Sequence, residues 1–318
     1  MATNINIPAE VFANYVVEKL RRTNPHIGLS SDESQYVKAG AVVHIPQAGA
    51  SPNVVKNRDS FPAVATRRGD GSVTYALDSF TTDPVHVTWA EAAELSYDKT
   101  DSVLGDHVAT LMEVIGDNIL YDWVVGLKNK GAATDAIPAA NIVETTGALD
   151  DIEIGGGVTA QRNAFTYKEL EKAQYLMNHQ NVSKTDRYAL LESKMYQQLM
   201  DSLSANQMAA FQAAADLKNG ICGRLYGFNV MERSSVLVFT AAKVPVVPGT
   251  DVVNTMNPAA LCWQKDCVTV AKGDIQPYQD LGNPLYFGDI FSAEVKMGGR
   301  AKRSDYAGVV AIIAKKNS

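Results

Sequence analysis

The chain has 318 residues, of which 46% are hydrophobic and 20% are charged, a composition typical of folded proteins. A chain of this length can bury a large core, and we expect two subdomains. The net charge of −6 argues against sequence-independent nucleic-acid binding, which needs a basic surface. Because no apolar run approaches the roughly 20 residues of a membrane span and no secretory leader is apparent, we expect a soluble protein made in the cytoplasm.

Residues 1–40 begin with a polar segment followed by a short amphipathic helix. Pro8 suits the first helical turn, and the helix should end before Pro25. So small an apolar face needs cover from the protein's own core or from a neighbouring subunit. The apolar positions at helical spacing are Val11, Phe12, Tyr15, Val16 and Leu20.

Residues 41–95 carry strand patterns at 41–45, 73–77 and 85–89, where apolar and polar residues alternate. Asp70–Gly71 is a dipeptide typical of hairpin turns. Arg68–Gly69–Asp70 also spells a cell-adhesion tripeptide, but that sequence is common by chance and we favour the turn. The block has too little apolar content for its own core, so we predict long antiparallel strands that project as an arm and gain stability from a partner.

Residues 98–128 form the longest helical pattern and are predicted to be the element on which the others pack. A second, polar line runs through Asp106, Thr110, Glu113 and Asp117, which predicts a half-buried helix with that line open to solvent. Glycines at 105, 116 and 126 each cost about 1 kcal/mol relative to alanine, so packing must hold the helix. The apolar face comprises Leu104, Val108, Leu111, Ile115, Ile119, Trp123 and Leu127.

Residues 129–164 are rich in Gly, Ala, Thr and Asp and are predicted to be a loop with one short hairpin around 141–152. Gly155–Gly156–Gly157 lacks the surroundings of a phosphate-binding motif, which favours a flexible connector. The adjacent carboxylates Asp150, Asp151 and Glu153 lack the ligand spacing of a calcium site and are expected to be solvated.

From residue 166 onward the pattern is a mixed α+β body without regular βαβ alternation. Thr166 and Glu169 form a capping-box pattern at the start of a helix. Further helices are predicted from Ser193 and over 205–217. Strands are predicted at 188–191, 228–232, 235–240, 260–264, 286–295 and 308–314.

The search for catalytic and metal-binding motifs finds none. His107 lies near Asp101 and Asp106, but both acids suit the start of the helix, so capping and solvation are favoured over metal or general-base roles. Cys262 and Cys267 resemble half of a metal site without a second pair nearby. The odd count of three cysteines, with Cys222, predicts free thiols in a reducing compartment. We predict no catalytic, cofactor-binding or metal-binding residues and no cofactor.

Two segments carry a resemblance to a known family. Residues 219–230, NGICGRLYGFNV, contain a Gly-x-x-Gly-x-x-x-Gly-Phe-x-Val pattern, and residues 286–312 contain two strand patterns around the basic run 300–303. Together with an N-terminal arm, an extended loop and a long helix in this order, they resemble the major capsid proteins of tailed bacteriophages, which have the Hong Kong 97-type fold. The resemblance covers nearly the whole chain.

The resemblance implies a domain plan. It has an N-terminal arm (1–40), an extended β-hairpin loop lying over a neighbouring subunit (41–95) and a peripheral domain with the spine helix 98–128 and a connector loop (96–164). An axial domain follows (165–283), then long strands of the peripheral domain (284–305) and a final axial strand (306–318). Because the chain begins at Met1 with no long helical region before the arm, we expect no cleaved internal scaffold.

The resemblance also implies a function: a structural, non-enzymatic subunit that self-assembles into pentamers and hexamers around double-stranded DNA. Its expected place is the virion, after assembly in the host cytoplasm. Implied partners are other copies of itself, portal, scaffold and decoration proteins, and DNA without sequence-specific contacts, but no membrane. A bacterial encapsulin shell and an enzyme with an unrecognised site are the alternatives. Candidate inter-subunit contacts are Arg58, Arg67, Arg68, Asp70, Arg300, Lys302 and Arg303.

Overall fold

The computed structural model describes residues 23–39, 42–59, 61–63, 65–88, 99–125, 136–216, 218 and 220–316. The predicted N-terminal helix lies outside these residues, as do residue 98 and residues 126–128 at the predicted ends of the long helix. No helix in the described ranges is both long and apolar enough to cross a membrane.

A six-stranded sheet is organised around one long strand, β16, which covers Gly288–Ala301. It pairs along one edge with β14, and β1 continues the sheet in parallel beyond β14. On the same edge as β14, nearer the chain turn, β16 pairs antiparallel with β15, and on its opposite edge it pairs antiparallel with β5 and then β4. The other strands of this sheet are β1 (Ser31–Asp32), β4 (Asp78–Thr81), β5 (Val85–Thr88), β14 (Val268–Lys272) and β15 (Gln276–Asn283).

A seven-stranded mixed sheet forms the second layer, in the order β10-β11-β9-β13-β17-β6, with β12 paired to β13. All eight residues of β13 are buried, because side chains on both faces meet a core. Leu261 and Trp263 face one core, whereas Ala260 and Cys262 face the other. The strands are β6 (Ile142–Glu144), β9 (Arg187–Glu192), β10 (Ile221–Leu225), β11 (Phe228–Arg233), β12 (Leu237–Phe239), β13 (Asn257–Gln264) and β17 (Val309–Ile313).

Three helices cover the face of this sheet that carries Ala260 and Cys262. The capping box predicted at Thr166 and Glu169 is confirmed: the backbone N–H and hydroxyl of Thr166 donate to Oε2 of Glu169 at 2.7 and 2.6 Å. The buried Glu169 also accepts from Thr146, which fixes the approach to the helix. The helices are α3 (Tyr167–His179), α4 (Ser193–Ser202) and α5 (Ala205–Ala213), after the short α1 (Pro25–Gly28) and the long α2.

The long helix α2, called the spine helix below, covers Lys99–Val124. Its second half packs on strands of both sheets, with Ile115, Ile119 and Trp123 at most 1% exposed. Val108, predicted on the same apolar face, is 39% exposed, so the first half of the helix is less covered than the periodicity indicates.

Two tryptophans join the spine helix to both sheets. The indole N–H of Trp123 donates to the carbonyl of Thr269 in β14 at 3.0 Å, and its ring lies 5.3 Å from that of Trp263 in β13. Gly299 in β16 permits this approach, because a Cβ there would lie 2.7 Å from the carbonyl oxygen of Thr269. At this junction of helix and sheets, the buried indole N–H of Trp123 is therefore hydrogen-bonded and the two rings are packed together.

Residues 23–26, which lead into α1 and form its first two positions, are called the root segment below and cross the spine helix at Gly116. Asn24 donates to the carbonyl of Met112 at 2.6 Å, and His26 bonds to the carbonyl of Gly116 at 3.0 Å. The prediction that the polar line of the helix faces solvent is wrong at Asp117, which pairs with the buried guanidinium of Arg233 at 2.6 Å.

Two turns depend on left-handed backbone conformations. Tyr226 and Gly227 have φ of 48° and 79° and form the two-residue turn between β10 and β11. Gly155–Gly157 all have positive φ and turn β7 (Leu149–Gly155) into β8 (Val158–Asn163). The prediction of a flexible connector at this triplet is therefore wrong, because the glycines close an ordered hairpin.

The extended hairpin differs from the predicted one in its turn. β2 (Val42–Gln47) pairs antiparallel with β3 (Gly71–Ala76), and residues 48–70 form a long loop between them. The prediction of a tight turn at Asp70–Gly71 is wrong, since Gly71 is the first residue of the returning strand. β4 and β5, which were predicted to project with this arm, pair instead with β16 in the body.

Two glycines of the spine helix give opposite predictions for alanine substitution. A Cβ at Gly116 would lie 2.1 Å from Oδ1 of Asn24, so Gly116→Ala must displace an amide that makes two hydrogen bonds. We expect it to lower the free energy of unfolding by about 1–3 kcal/mol. At Gly105 a Cβ meets nothing within 4 Å, so Gly105→Ala should raise the free energy of unfolding by up to about 1 kcal/mol. Urea unfolding of the purified protein measures both, and equal effects would contradict the packing at Gly116.

Candidate intersubunit surfaces

The base of the extended loop (residues 48–70) is closed by Asp70. Its carboxylate accepts from the backbone N–H of Gly49 at 2.8 Å and pairs with Nε of Arg68 at 2.6 Å. The hydrogen bond from Arg68, and then that from Gly49, hold the pKa of Asp70 below its ordinary value. A Cβ at Gly49 would lie 2.1 Å from the carbonyl oxygen of Gly69, so the two sides of the loop touch through backbone. Arg68 and Asp70 thus close the loop that carries them.

Beyond this base, the loop exposes both apolar and charged side chains. Val54 and Phe61 are 88% and 79% exposed, and Arg58 and Arg67 are exposed as well. Exposed apolar side chains on a projecting loop are typical of a contact surface. Of the predicted contact residues, Arg58 and Arg67 are therefore the best placed to meet another molecule.

The predicted basic run 300–303 lies at the base of the extended hairpin. Arg300 is buried and donates to the carbonyl of Thr74 in β3 at 3.0 Å. Lys302 donates to Oγ of Ser31 at 2.8 Å, and its carbonyl accepts from Gln47 at the end of β2. Arg300 and Lys302 therefore anchor the hairpin within its own subunit. Arg303 is exposed and pairs with the exposed Asp305 at 2.8 Å.

A second projecting surface was missed in the sequence. The end of β15 and the turn that joins it to β16 together comprise residues 281–287, called the hairpin tip below, and expose apolar side chains. The sequence pattern that could have predicted it is a cluster of apolar residues around a Gly-Asn-Pro turn, because apolar residues in a turn are not covered by a core. Tyr286 also contacts the ring of His86 in β5, at 5.9 Å between centroids. The exposed fractions are 66% for Leu281, 82% for Leu285, 52% for Tyr286 and 81% for Phe287.

The described residues hold no group of three or more His, Cys, Asp or Glu side chains suited to a metal ion. All three cysteines are free, and burial raises the pKa of each thiol above its ordinary value, which lowers its nucleophilicity. The predicted solvated carboxylate Asp150 instead lies on β7 and binds Gln198 and Lys194 of α4 at 2.9 and 3.1 Å. Asp150 therefore lies on a strand and not in a loop, although its side chain is still 39% exposed to solvent.

Two buried titratable groups stand apart from any such cluster. Burial lowers the pKa of His26 to about 3, with a further contribution from the charge of Arg233. Burial raises the pKa of Glu192, at the end of β9, to about 7. Oε2 of Glu192 has no hydrogen-bond partner among the described residues. The charge of Glu153 raises the pKa of Glu192 further, whereas Lys194 lowers it.

Comparison with known proteins finds no matching family model and no matching curated protein. Solved capsid structures do match over almost the full chain. The capsid of cyanophage Pam1 matches with a TM-score of 0.69 and 12% identity over 99% of this chain and 97% of that one. The capsid of Ralstonia phage GP4 gives 0.66 and 13% over 100% and 98%. The capsid of cyanophage P-SCSP1u gives 0.65 and 14% over 98% and 94%. The chain therefore has the Hong Kong 97-type fold, as the sequence predicted.

Glu192 gives a pH prediction. Its folded pKa of about 7 exceeds the ordinary 4.5, so the folded state keeps a proton that the unfolded state releases. Stability is therefore lost as the pH rises from about 4.5 to 7, by roughly 3 kcal/mol at 1.36 kcal/mol per pKa unit. Glu192→Gln should remove this loss in urea titrations of the subunit across that pH range. Asp201→Asn, an exposed carboxylate in the last turn of α4, should leave the loss in place. An unchanged pH slope in Glu192→Gln would contradict the assignment.

Proposed function

We propose that this protein is the structural subunit of a bacteriophage capsid. Copies of it would assemble into pentamers and hexamers and close an icosahedral shell around double-stranded DNA. The observation that carries the proposal is the match of nearly the entire chain, arm and loop included, to capsid structures of several phages. The proposed place of the protein is the virion, after assembly in the host cytoplasm.

Two features of the subunit support self-assembly. The extended loop and the hairpin tip both expose large apolar side chains, including Phe61 and Phe287, which the subunit itself leaves uncovered. Exposed apolar patches of this kind mark contact surfaces. Closed symmetry repeats each contact around the shell, so contacts that are weak singly become strong together.

The charge of the subunit supports a passive relation to DNA. At a net charge of −6 per copy, many copies present a shell that does not trap the packaged polymer. Contacts to DNA are thus proposed to be independent of sequence. Portal, scaffold and decoration proteins are proposed partners, and the role is structural rather than enzymatic. The domain plan implied by the family resemblance is adopted as part of this proposal.

Electron microscopy of the purified protein tests the function. We expect closed shells of uniform diameter under some condition of salt, pH or added scaffold. A protein that stays monomeric under every assembly condition would contradict the proposal. Shells purified from cells that hold protein cargo in place of DNA would indicate the encapsulin alternative.

The hairpin tip yields a further prediction. Leu285→Ser combined with Phe287→Ser removes exposed apolar area without touching the core, so the subunit should unfold at the wild-type urea concentration. Because the variant buries less apolar area between subunits, the protein concentration needed for assembly should rise about tenfold. This corresponds to about 1.4 kcal/mol of association free energy. Light scattering against protein concentration measures this.

Tyr175→Ser is the matched control for the tip variant. Tyr175 lies on α3, is 66% exposed and stacks only on the neighbouring His179 among its described ring contacts. Assembly of the Tyr175 variant should follow the wild type. Equal impairment of both variants would remove the special role of the tip.

A further inference from the structure

The hairpin of β7 and β8, called the glycine hairpin below (residues 149–163), is bound to the body at its base. The buried guanidinium of Arg162 donates to the side chain of Asn257 at 2.7 Å and to two backbone carbonyls at 2.6 Å. Directly across the hairpin, Asp150 accepts a hydrogen bond from Gln198 of α4 at 2.9 Å. These hydrogen bonds fix the base of the hairpin on the body.

The outer half of this hairpin (residues 153–160) is held less firmly. Of its side chains only that of Ile154 is buried. A cavity of about 220 Å³ lies between the glycine turn and residues 246–252, so the packing beneath the turn is incomplete. The carboxylate of Glu153 accepts from the backbone N–H of Gly157 at 3.1 Å, which ties this charge to the turn. The outer half can therefore move while the base stays in place.

Glu192 ends β9, directly before α4, and its carboxyl group is buried. The residue is 9% exposed, and its Oε2 has no hydrogen-bond partner among the described residues. A buried carboxylate without partners costs far more free energy than the neutral acid. Burial therefore raises the pKa of Glu192 to about 7, and the negative charge of Glu153 contributes to the rise. The proton on Glu192 thus responds to the charge that the outer half of the hairpin carries.

The described cations around Glu192 are already paired. The ammonium of Lys194, in the first turn of α4, pairs with Asp150 at 3.1 Å. Arg233 lies in register with Glu192 on the neighbouring strand β11, but its guanidinium pairs with Asp117 at 2.6 Å. On its other side β9 pairs with β13, which carries no charged residue. Ionisation of Glu192 would therefore place a buried negative charge beside the carboxylates of the hairpin.

We propose that Glu192 acts as a proton-dependent latch for the outer half of the glycine hairpin. With Glu192 neutral, the outer half packs on the body through Ile154. With Glu192 ionised, repulsion from Glu153 moves the outer half outward, and water reaches the new charge. The docked form binds a proton that the released form gives up, so docking weakens as the pH rises from about 4.5 to about 7. The latch belongs to the single subunit and does not depend on the proposed capsid function.

Hydrogen exchange of the purified protein, followed by mass spectrometry, tests the latch. After correction for the intrinsic pH dependence of exchange, the amides of residues 153–160 should lose protection at least about tenfold between about pH 5 and about pH 8. The amides of β13 lie in the core and should keep their protection over this range. Unchanged protection of residues 153–160 would overturn the latch. A loss of the same size in β13 would overturn it too, because it would reflect opening of the whole protein.

Three variants identify the group responsible. Glu192→Gln cannot ionise, so residues 153–160 should keep at about pH 8 the protection they have at about pH 5. Glu153→Gln removes the repelling charge and should reduce the loss of protection to less than about threefold. Asp201→Asn, the matched control, removes an exposed carboxylate from the same helix and should lose protection like the wild type. A loss in Glu192→Gln as large as in the wild type would overturn the latch.

Infrared spectra keep the test independent of how well Glu192→Gln folds. A protonated carboxyl group and an ionised one absorb at different frequencies. The folded wild type and Asp201→Asn should each lose the band of one protonated carboxyl group as the pH rises through about 7. If Glu192→Gln does not fold, the reduced response of Glu153→Gln carries the test together with this band. Disappearance of the band below about pH 5, the ordinary range of a glutamic acid, would overturn the proposal.

Discussion

The buried guanidinium of Arg233 is the interaction on which the geometry of the subunit depends. It pairs with Asp117 of the spine helix at 2.6 Å and donates to the carbonyl of Thr23 and the side chain of Asn24 at 3.1 and 2.9 Å. It also donates to the carbonyl of Ser235, just after β11. One charged group therefore fixes the root segment, the spine helix and the seven-stranded sheet relative to one another. Removing one partner of such a buried pair typically lowers the free energy of unfolding by about 3–5 kcal/mol, because the other charge stays buried without a partner.

This network also fixes the root segment on the spine helix. Asn24 and His26 both bond to carbonyls of the spine helix around Gly116, where the absence of a Cβ allows them to approach. Because His26 lies beside Arg233 and is fully buried, its pKa is depressed and it stays neutral. A second cation at this position would oppose Arg233, so a neutral imidazole is the form that the network requires.

Local patterns in the sequence predicted the elements whose structure is determined locally. The capping box at Thr166 and the apolar run of β9 need only their own neighbours. β15 was not predicted because all but one of its residues are exposed and its sequence shows no alternation. Its extended state comes from pairing with β16. Asp70–Gly71 carried a turn signal, yet Asp70 uses its carboxylate to close a long loop by binding Gly49.

The same distinction between local and long-range determinants explains why the sequence did not separate the buried contact candidates from the exposed ones. Arg58, Arg67, Arg300 and Lys302 are all cations, and charge alone gives no reason to separate them. Arg300 is buried because a carbonyl 226 positions away in the chain accepts its hydrogen bond, and that pairing exists only once β3 lies beside β16. The hairpin tip was missed for the opposite reason, since Leu285 and Phe287 look like core residues until the turn places them in solvent.

In the proposed capsid role, the division of the subunit into a bonded body and exposed projections would favour assembly without errors. In the body, the guanidinium of Arg233 and the indole of Trp123 are buried and hydrogen-bonded. The projections carry rim charges such as Arg58, for which an exposed ion pair is worth only about 0–1 kcal/mol. A misplaced copy bound by a few such contacts dissociates quickly, whereas a copy that engages all its neighbours is held by their sum. Weak projections on a rigid body therefore allow correction during growth and stability after closure.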